Sequence, residues 1–290
     1  MEFKLPPLPT TLGYILQILS RQAPVPDDDR LVEIIQKDPV LSIYVLRHVN
    51  SAYYGLHRHV TEIHRAAALL GLKRVCNLVF AAALKQTFAY LEDNASRTVY
   101  EHIIKTSVAT AAFARDLVAR LNVPLAEMAF TAGLLHQLGR LVFLYSAPRR
   151  YVPLWFNQVP RINDLPLTAP SPESEHACFD TDYLQLGAST LRQWGLPEEF
   201  VTITNRLHAP EQTSAGPLRT LTLAVAAGSA ASEALFVSDE ADSDDAARCL
   251  PAFLAALAEA HDAQEQDLLH FLEERNEPIR AFAQSVVSDF

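Results

Sequence analysis

The chain has 290 residues, 49% of them apolar, enough for a sizeable core in one large domain or two lobes sharing an interface. Its 24 Lys and Arg face 34 Asp and Glu, a formal charge of −10. That balance repels nucleic acid and anionic membrane, and the basic groups are short, such as Lys73–Arg74 and Arg149–Arg150. Only 9 glycines stand against 18 prolines, which favours helices over a turn-rich β fold.

The start, Met1-Glu-Phe-Lys-Leu-Pro-Pro, lacks the basic and apolar regions of a signal peptide, and Leu5-Pro-Pro-Leu-Pro predicts an extended segment. Helical patterning begins near Thr11 and breaks at Pro24, Pro26 and Asp27–Asp29; Asp29 is a candidate cap for a helix through Ile35. Asp38-Pro39 predicts a restart, with Asp38 as N-cap and Pro39 at the first helical position. From Val40 to Val49 the chain is apolar nearly all round, which predicts a deeply buried helix. Thr61 is the candidate cap of the next helix and Gly71 its candidate left-handed stop. Leu72 to Tyr90 reads as another helix, with Val75, Leu78, Val79 and Ala82 at helical spacing.

A polar break at Glu92–Ser96 separates this first lobe from a second. Helices are predicted from about Thr98 to Leu121 and, past Asn122-Val-Pro124, from about Leu125 to Tyr145, the latter placing His136 and Arg140 on one face. Prolines at 148, 153, 160, 166, 170 and 172 predict an irregular connector with at most short helices. Helical patterning resumes near Asp182, stops at Gly195-Leu-Pro197, and continues from Glu198 to about Arg206. An apolar helix near 218–237 follows, then an acidic loop, Asp239 to Asp245, and one or two terminal helices. The 220–237 stretch carries Glu233 and reads as a core helix rather than a membrane span. Cys76, Cys178 and Cys249 form no CxxC pair; Cys76 reads as a buried thiol, in keeping with a reducing cytosol and a soluble, cytoplasmic protein.

The segment from Asp38 to Gly55, ending in Asn50-Ser-Ala-Tyr-Tyr-Gly55, resembles the signature of HDOD proteins, the HD-related output domain family, with one extra residue in the turn. Gly133-Leu-Leu-His-Gln-Leu-Gly139 is similar to that family's Gly-Leu-Leu-His-Asp-Ile-Gly. Gly187-Ala188 and Trp194-Gly-Leu-Pro197 resemble its next landmarks. The landmarks occur in family order over residues 5–210. The resemblance implies an all-α, two-lobed fold: an N-terminal helical lobe (5–95) packed on an HD-like lobe (96–210), with 211–290 a C-terminal helical extension packing on the latter. Asn50 and Ser51 can bond nearby backbone where the apolar helix ends, and Gly55 permits a tight turn. Structural roles are therefore expected for Asp38, Pro39, Asn50, Ser51, Gly55, Gly71, Gly133, Gly139, Gly187, Trp194 and Pro197.

Catalytic relatives in the HD superfamily hold a divalent metal with a first His, a later His-Asp pair and a final Asp, and the metal makes bound water nucleophilic. By that resemblance His102 stands for the first His and His136 for the His of the pair. Gln137 replaces the Asp, and a neutral amide is a much poorer ligand. Tyr183 and His208 occupy positions where relatives often have histidines, and Ala226–Ala227 replaces the final Asp. The expectation is a degenerate site with no metal and no cofactor; His57, His59 and His64 read as incidental surface histidines. No Gly-rich phosphate loop or nucleophile elbow is present. The implied function is a non-catalytic bacterial signalling module whose partner is another signalling protein, with no nucleic acid and no membrane. The rival functions are a residual metal-dependent phosphohydrolase or phosphodiesterase, and a sensor holding a small nucleotide in the degenerate site.

Overall fold

A computed structural model describes residues 3–6, 15, 29–56, 58–88, 93–156, 169–236 and 244–288; these form helices and no strand. The expected helical start near Thr11, the break at 24–28, His57 and most of the 239–245 acidic loop lie outside them.

The first lobe holds α1 (Asp29–Lys37), α2 (Pro39–Val49), a 3-10 turn (Ala52–Tyr54), α3 (Ile63–Leu70) and α4 (Leu72–Phe88). Asp38 caps α2 as expected, its Oδ1 accepting the Leu41 N–H at 3.1 Å. Thr61 does not cap α3. Glu62 holds the N-cap position with no side-chain bond, so the register is one residue later than the sequence indicated. Gly71 does stop α3 at a positive φ of 85°, but its ψ of 146° is extended rather than left-handed helical. Cys76 is fully buried in α4, while His59 and His64 are exposed.

Asn50 explains how the turn after α2 holds its shape. Its side-chain amide donates to the carbonyls of Leu46 (2.7 Å) and Val60 (2.8 Å), and its oxygen accepts the Val60 N–H at 2.7 Å. One side chain thus clasps a loop ten residues long. Inside the clasp Gly55 takes the left-handed conformation (φ 61°). Tyr53 points inward, stacked on Phe282 (centroids 4.4 Å) with the Arg115 guanidinium 4.6 Å from its ring.

The second lobe is built around α5 (Asn94–Arg120), which starts four residues earlier than expected because Asp93 caps it through the Ser96 N–H. The predicted single helix from 125 to 145 is two, α6 (Ala126–Leu135) and α7 (Leu138–Ser146). The reason lies in His136: its Nδ1–H donates to the Gly133 carbonyl at 2.6 Å, the oxygen a continuous helix would give to the amide of residue 137. Then come α8 (Pro148–Phe156), α9 (Pro172–Phe179), α10 (Tyr183–Gln193), α11 (Glu198–Asn205), α12 (Pro217–Phe236), α13 (Asp244–His261) and α14 (Glu265–Ser288). The proline-rich connector therefore includes one short helix, α8, and ends where α9 begins at Pro172, while 157–168 lies outside the described residues.

Small residues let helices approach α5 closely. A Cβ on Gly133 would sit 2.5 Å from the Ala111 Cα, and one on Gly228 would sit 2.8 Å from the Thr110 carbonyl oxygen. The α12 helix packs along α5, and α14 packs on both α5 and the Ala52–Tyr54 turn. Lys85 of α4 donates to the carbonyls of Val286 (2.6 Å) and Val287 (2.8 Å), placing a cation at the negative end of α14. The C-terminal extension thus reaches the first lobe as well as the second. No single helix among the described residues is long and apolar enough to cross a membrane; one pair bent by 120°, α3 with α4, passes that test jointly by length and composition.

Candidate functional site

The residues singled out around His102 and His136 come together, and their common neighbour is Arg140. His102, on α5, is 8% exposed, with its ring edge-on to Trp155 (centroids 5.6 Å). It is not the helix-surface residue that a lone His at that position could have been. One turn on, the Thr106 hydroxyl donates to the His102 carbonyl at 2.9 Å and accepts from the Gln137 amide nitrogen at 3.2 Å. The Gln137 Oε1 is buried and has no hydrogen-bond partner among the described residues.

His136 is fully buried. A carbonyl only accepts, so the contact with Gly133 places the proton on Nδ1 and leaves a lone pair on Nε2, which faces the Ser229 hydroxyl at 3.4 Å. Burial pushes the imidazole down to about 3, with Arg140 and His208 adding to the effect against the Gly133 carbonyl. His102 is likewise pushed down to about 3, first by burial, then by the charges of Lys105 and Arg140. Both rings are neutral at physiological pH.

Arg140 itself is 5% exposed and enters from α7. Its guanidinium carbon lies 4.0 Å from the Tyr183 ring centroid and 5.8 Å from that of Trp155. It donates to the Pro170 carbonyl at 3.1 Å and pairs with Glu175 at 3.5 Å. Glu175, fully buried on α9, accepts the Tyr151 hydroxyl and the Tyr183 N–H, each at 2.8 Å. Burial raises the Glu175 carboxyl and Arg140 counters it. Glu233, on α12, is raised by burial and lowered by Arg140 in the same way. Tyr183 carries the chain of contacts outward, its hydroxyl 2.8 Å from the His208 Nε2. His208 is exposed as a residue, yet partial burial of its ring lowers its pKa.

Arg140, Glu175 and Trp155 were missing from the sequence-derived site. Arg140 did carry a signal: it is the one charged residue in Leu138–Ser146, and an arginine in so apolar a helix must find a buried partner. On α12 the sequence pointed to Ala226–Ala227, which are buried; the polar groups this helix brings to the cluster are Ser229 and Glu233.

The landmark glycines have packing roles. A Cβ on Gly139 would overlap the Tyr183 carbonyl oxygen and come within 2.9 Å of the Gly187 nitrogen, while one on Gly187 would come within 3.2 Å of the Gly139 nitrogen. Helices α7 and α10 therefore touch backbone to backbone, which brings Arg140 against Tyr183. Trp194 closes α10 and packs against Phe88 (6.4 Å), and Pro197 precedes α11. Ser51 leads into the Ala52–Tyr54 turn without capping it.

The donor set does not fit a divalent metal. It offers two neutral imidazoles and an amide, with His208 behind Tyr183 and Glu233 facing Arg140; Glu175 is already engaged by two donors and an arginine, and a fixed guanidinium stands among the groups. Among the described residues no three His, Cys, Asp or Glu side chains could hold an ion together.

Comparison with known proteins places these observations. The HDOD domain family model matches residues 5–210. A curated protein of Treponema pallidum, described only as uncharacterized, is 25% identical over 186 residues, and the chain spans 34% of its length. Among solved structures, an HDOD domain protein of unknown function from Geobacter sulfurreducens superposes with a TM-score of 0.78 at 19% identity, covering 98% of this chain and 93% of the other. A candidate signal transduction protein of Marinobacter aquaeolei gives 0.70 at 24% identity over 97% and 60%. A candidate metal-dependent phosphohydrolase of Shewanella amazonensis gives 0.65 at 18% identity over 97% and 93%.

Proposed function

The chain belongs to the HDOD domain family, and from that premise we propose that it is a non-catalytic signal-transduction module that acts by binding another protein. The observation that carries this reading is the buried Arg140 guanidinium among His102, His136, Gln137 and Tyr183. The guanidinium there draws on the Glu175 and Glu233 carboxylates, and Gln137 supplies none of its own for a divalent cation. The Marinobacter neighbour, named for signal transduction, shares the fold and fits this reading; the Shewanella neighbour, named for phosphohydrolase activity, fits the rival.

The test has two parts. Elemental analysis of purified protein should find no stoichiometric iron, manganese or zinc. Cyclic dinucleotides and nucleoside phosphates should be hydrolysed no faster than in a protein-free blank with manganese, magnesium or nickel supplied. Metal-dependent turnover abolished in a His102→Ala, His136→Ala variant of unchanged melting temperature would establish the enzyme and overturn the reading.

A further inference from the structure

One stretch of the first lobe inverts the charge of the chain that carries it. Residues 39–88 hold six cations, Arg47, Arg58, Arg65, Lys73, Arg74 and Lys85, against one carboxylate, Glu62, in a protein whose total is −10. Two of the six serve inside the fold: Lys85 holds the end of α14, and Arg74 pairs with Glu127 at 2.8 Å. Arg47, Arg58 and Arg65 are exposed, and neither Arg58 nor Arg65 has an ion-pair partner among the described residues.

A second, independent feature falls on the same helices. Among the described residues the exposed large apolar side chains are Ile43, 67% exposed on α2, and Leu69, 53% exposed on α3. Each stands one helical turn from an exposed arginine, Ile43 beside Arg47 and Leu69 beside Arg65, so each pair lies on one helix face. The two helices pack on each other. An apolar side chain beside an arginine is the pairing that protein interfaces concentrate in their energetic centres.

We propose that the outer face of α2 and α3 is the docking surface for an acidic face of a partner protein. This rests on the protein-binding reading given above and places its site. Charge complementarity selects the occupant. The chain outside this stretch is strongly acidic and would repel a large anion, so attraction is confined to the stretch. Three exposed arginines are too few for a duplex, which is held through a stripe of phosphate contacts. Anchoring on anionic lipid takes four to eight clustered basic residues or a broad apolar face, and two apolar side chains supply neither. A protein surface uses a few arginines and a few apolar anchors together.

The experiment is photo-crosslinking of the full chain in its native cells, with a benzophenone amino acid at position 43 or 69, and at 273 or 277 on the acidic α14 as controls. The expected result is a discrete protein adduct from 43 and 69, absent from 273 and 277, whose yield falls about tenfold in an Arg47→Glu, Arg65→Glu variant that melts as wild type does. The captured protein, once identified and purified, should bind wild type with a salt-sensitive affinity and the variant about tenfold more weakly. An adduct from 273 or 277 alone would leave the protein-binding reading standing and overturn this face. An adduct whose yield ignores the charge reversal would also overturn it. Adducts from no position would overturn both readings. Purified protein that binds phosphatidylglycerol vesicles or duplex DNA through Arg47 and Arg65 would replace the partner with that polyanion.

Discussion

Replacing Gly139 with alanine separates two kinds of glycine in this fold and tests the backbone contact that positions Arg140. The new Cβ would overlap the Tyr183 carbonyl oxygen, lie 2.7 Å from the Tyr183 carbonyl carbon and 2.9 Å from the Gly187 nitrogen. All three are main-chain atoms inside helices or their caps, so no rotamer change relieves the clash, and α7 must move away from α10. Overpacking of this kind costs about 3 kcal/mol or more. For a chain of this size that corresponds to a melting temperature lower by roughly 6–12 °C. Gly55→Ala is the comparison: nothing lies within 4 Å of its Cβ, and only its φ of 61° opposes a side chain, a cost of about 1–2 kcal/mol, or roughly 2–8 °C. Thermal melts of the two variants under one buffer decide the matter. If Gly139→Ala melts as high as Gly55→Ala, the α7–α10 contact is not the constraint described here, and the role assigned to the landmark glycines fails.

Three further outcomes follow from the cluster and the clasp. Stability should fall as pH drops below 6.5: His102 and His136 have pKa values near 3 in the folded protein against 6.5 unfolded, so the unfolded chain binds more protons, at about 1.4 kcal/mol per histidine per pH unit. Glu175 and Glu233, raised by burial, act with the opposite sign above pH 4.5; the urea midpoint of His136→Gln should therefore gain less than that of wild type between pH 4.5 and 7.5, and equal pH profiles would refute the buried neutral imidazole. Arg140→Met should cost about 3–5 kcal/mol by leaving Glu175 buried without its cation, and adding Glu175→Gln should restore part of it, a coupling that a double-mutant cycle in urea measures. Asn50→Ala should cost about 1–3 kcal/mol, because the Val60 N–H and carbonyl lose their shared partner; a melt within 1 °C of wild type would show that the clasp contributes nothing.

What the sequence made legible was local or periodic. The Asp38 cap, the Pro39 start and the core helix at 217–236 depend on neighbours within a turn or two, and each stands where the pattern put it; α2 is not buried all round as its apolar run indicated, because Ile43 (67% exposed) and Arg47 face outward. The family landmarks fixed the order of the helices. The break between α6 and α7 was hidden, because apolar spacing runs unbroken through Leu134, Leu138 and Leu141 while the interruption comes from one imidazole taking a backbone carbonyl. The partners of Arg140 were hidden for a different reason. Glu175 is 35 residues away across a proline-rich connector, and no spacing rule joins a charge on one helix to a carboxylate on another. Burial of His102 could not be read either, since α5 is enclosed on nearly every side by helices distant in sequence.

The landmarks that identify the family and the residues that bear on its chemistry are therefore different sets. Gly133, Gly139 and Gly187 are required wherever these helices cross at backbone distance, whatever lies in the cluster beside them. Asn50 and Gly55 are required wherever the turn after α2 tucks an aromatic ring under the C-terminal helix. A chain can keep all of these and exchange its site, because none of them touches the lone pair of His136 or the amide of Gln137. In the reading proposed above the exchange has a physical signature of its own: Gln137 where the resemblance implies a carboxylate, and a buried guanidinium that joins α7, α9 and α10 through Tyr183, Pro170 and Glu175. Unlike an imidazole, that cation cannot discharge in the accessible pH range, so it remains available to its Glu175 partner wherever the protein is folded. The fold is thus common ground for the neighbours named for signalling and for hydrolysis, and under the reading proposed above the charge at position 140 is what separates this chain from a metal site.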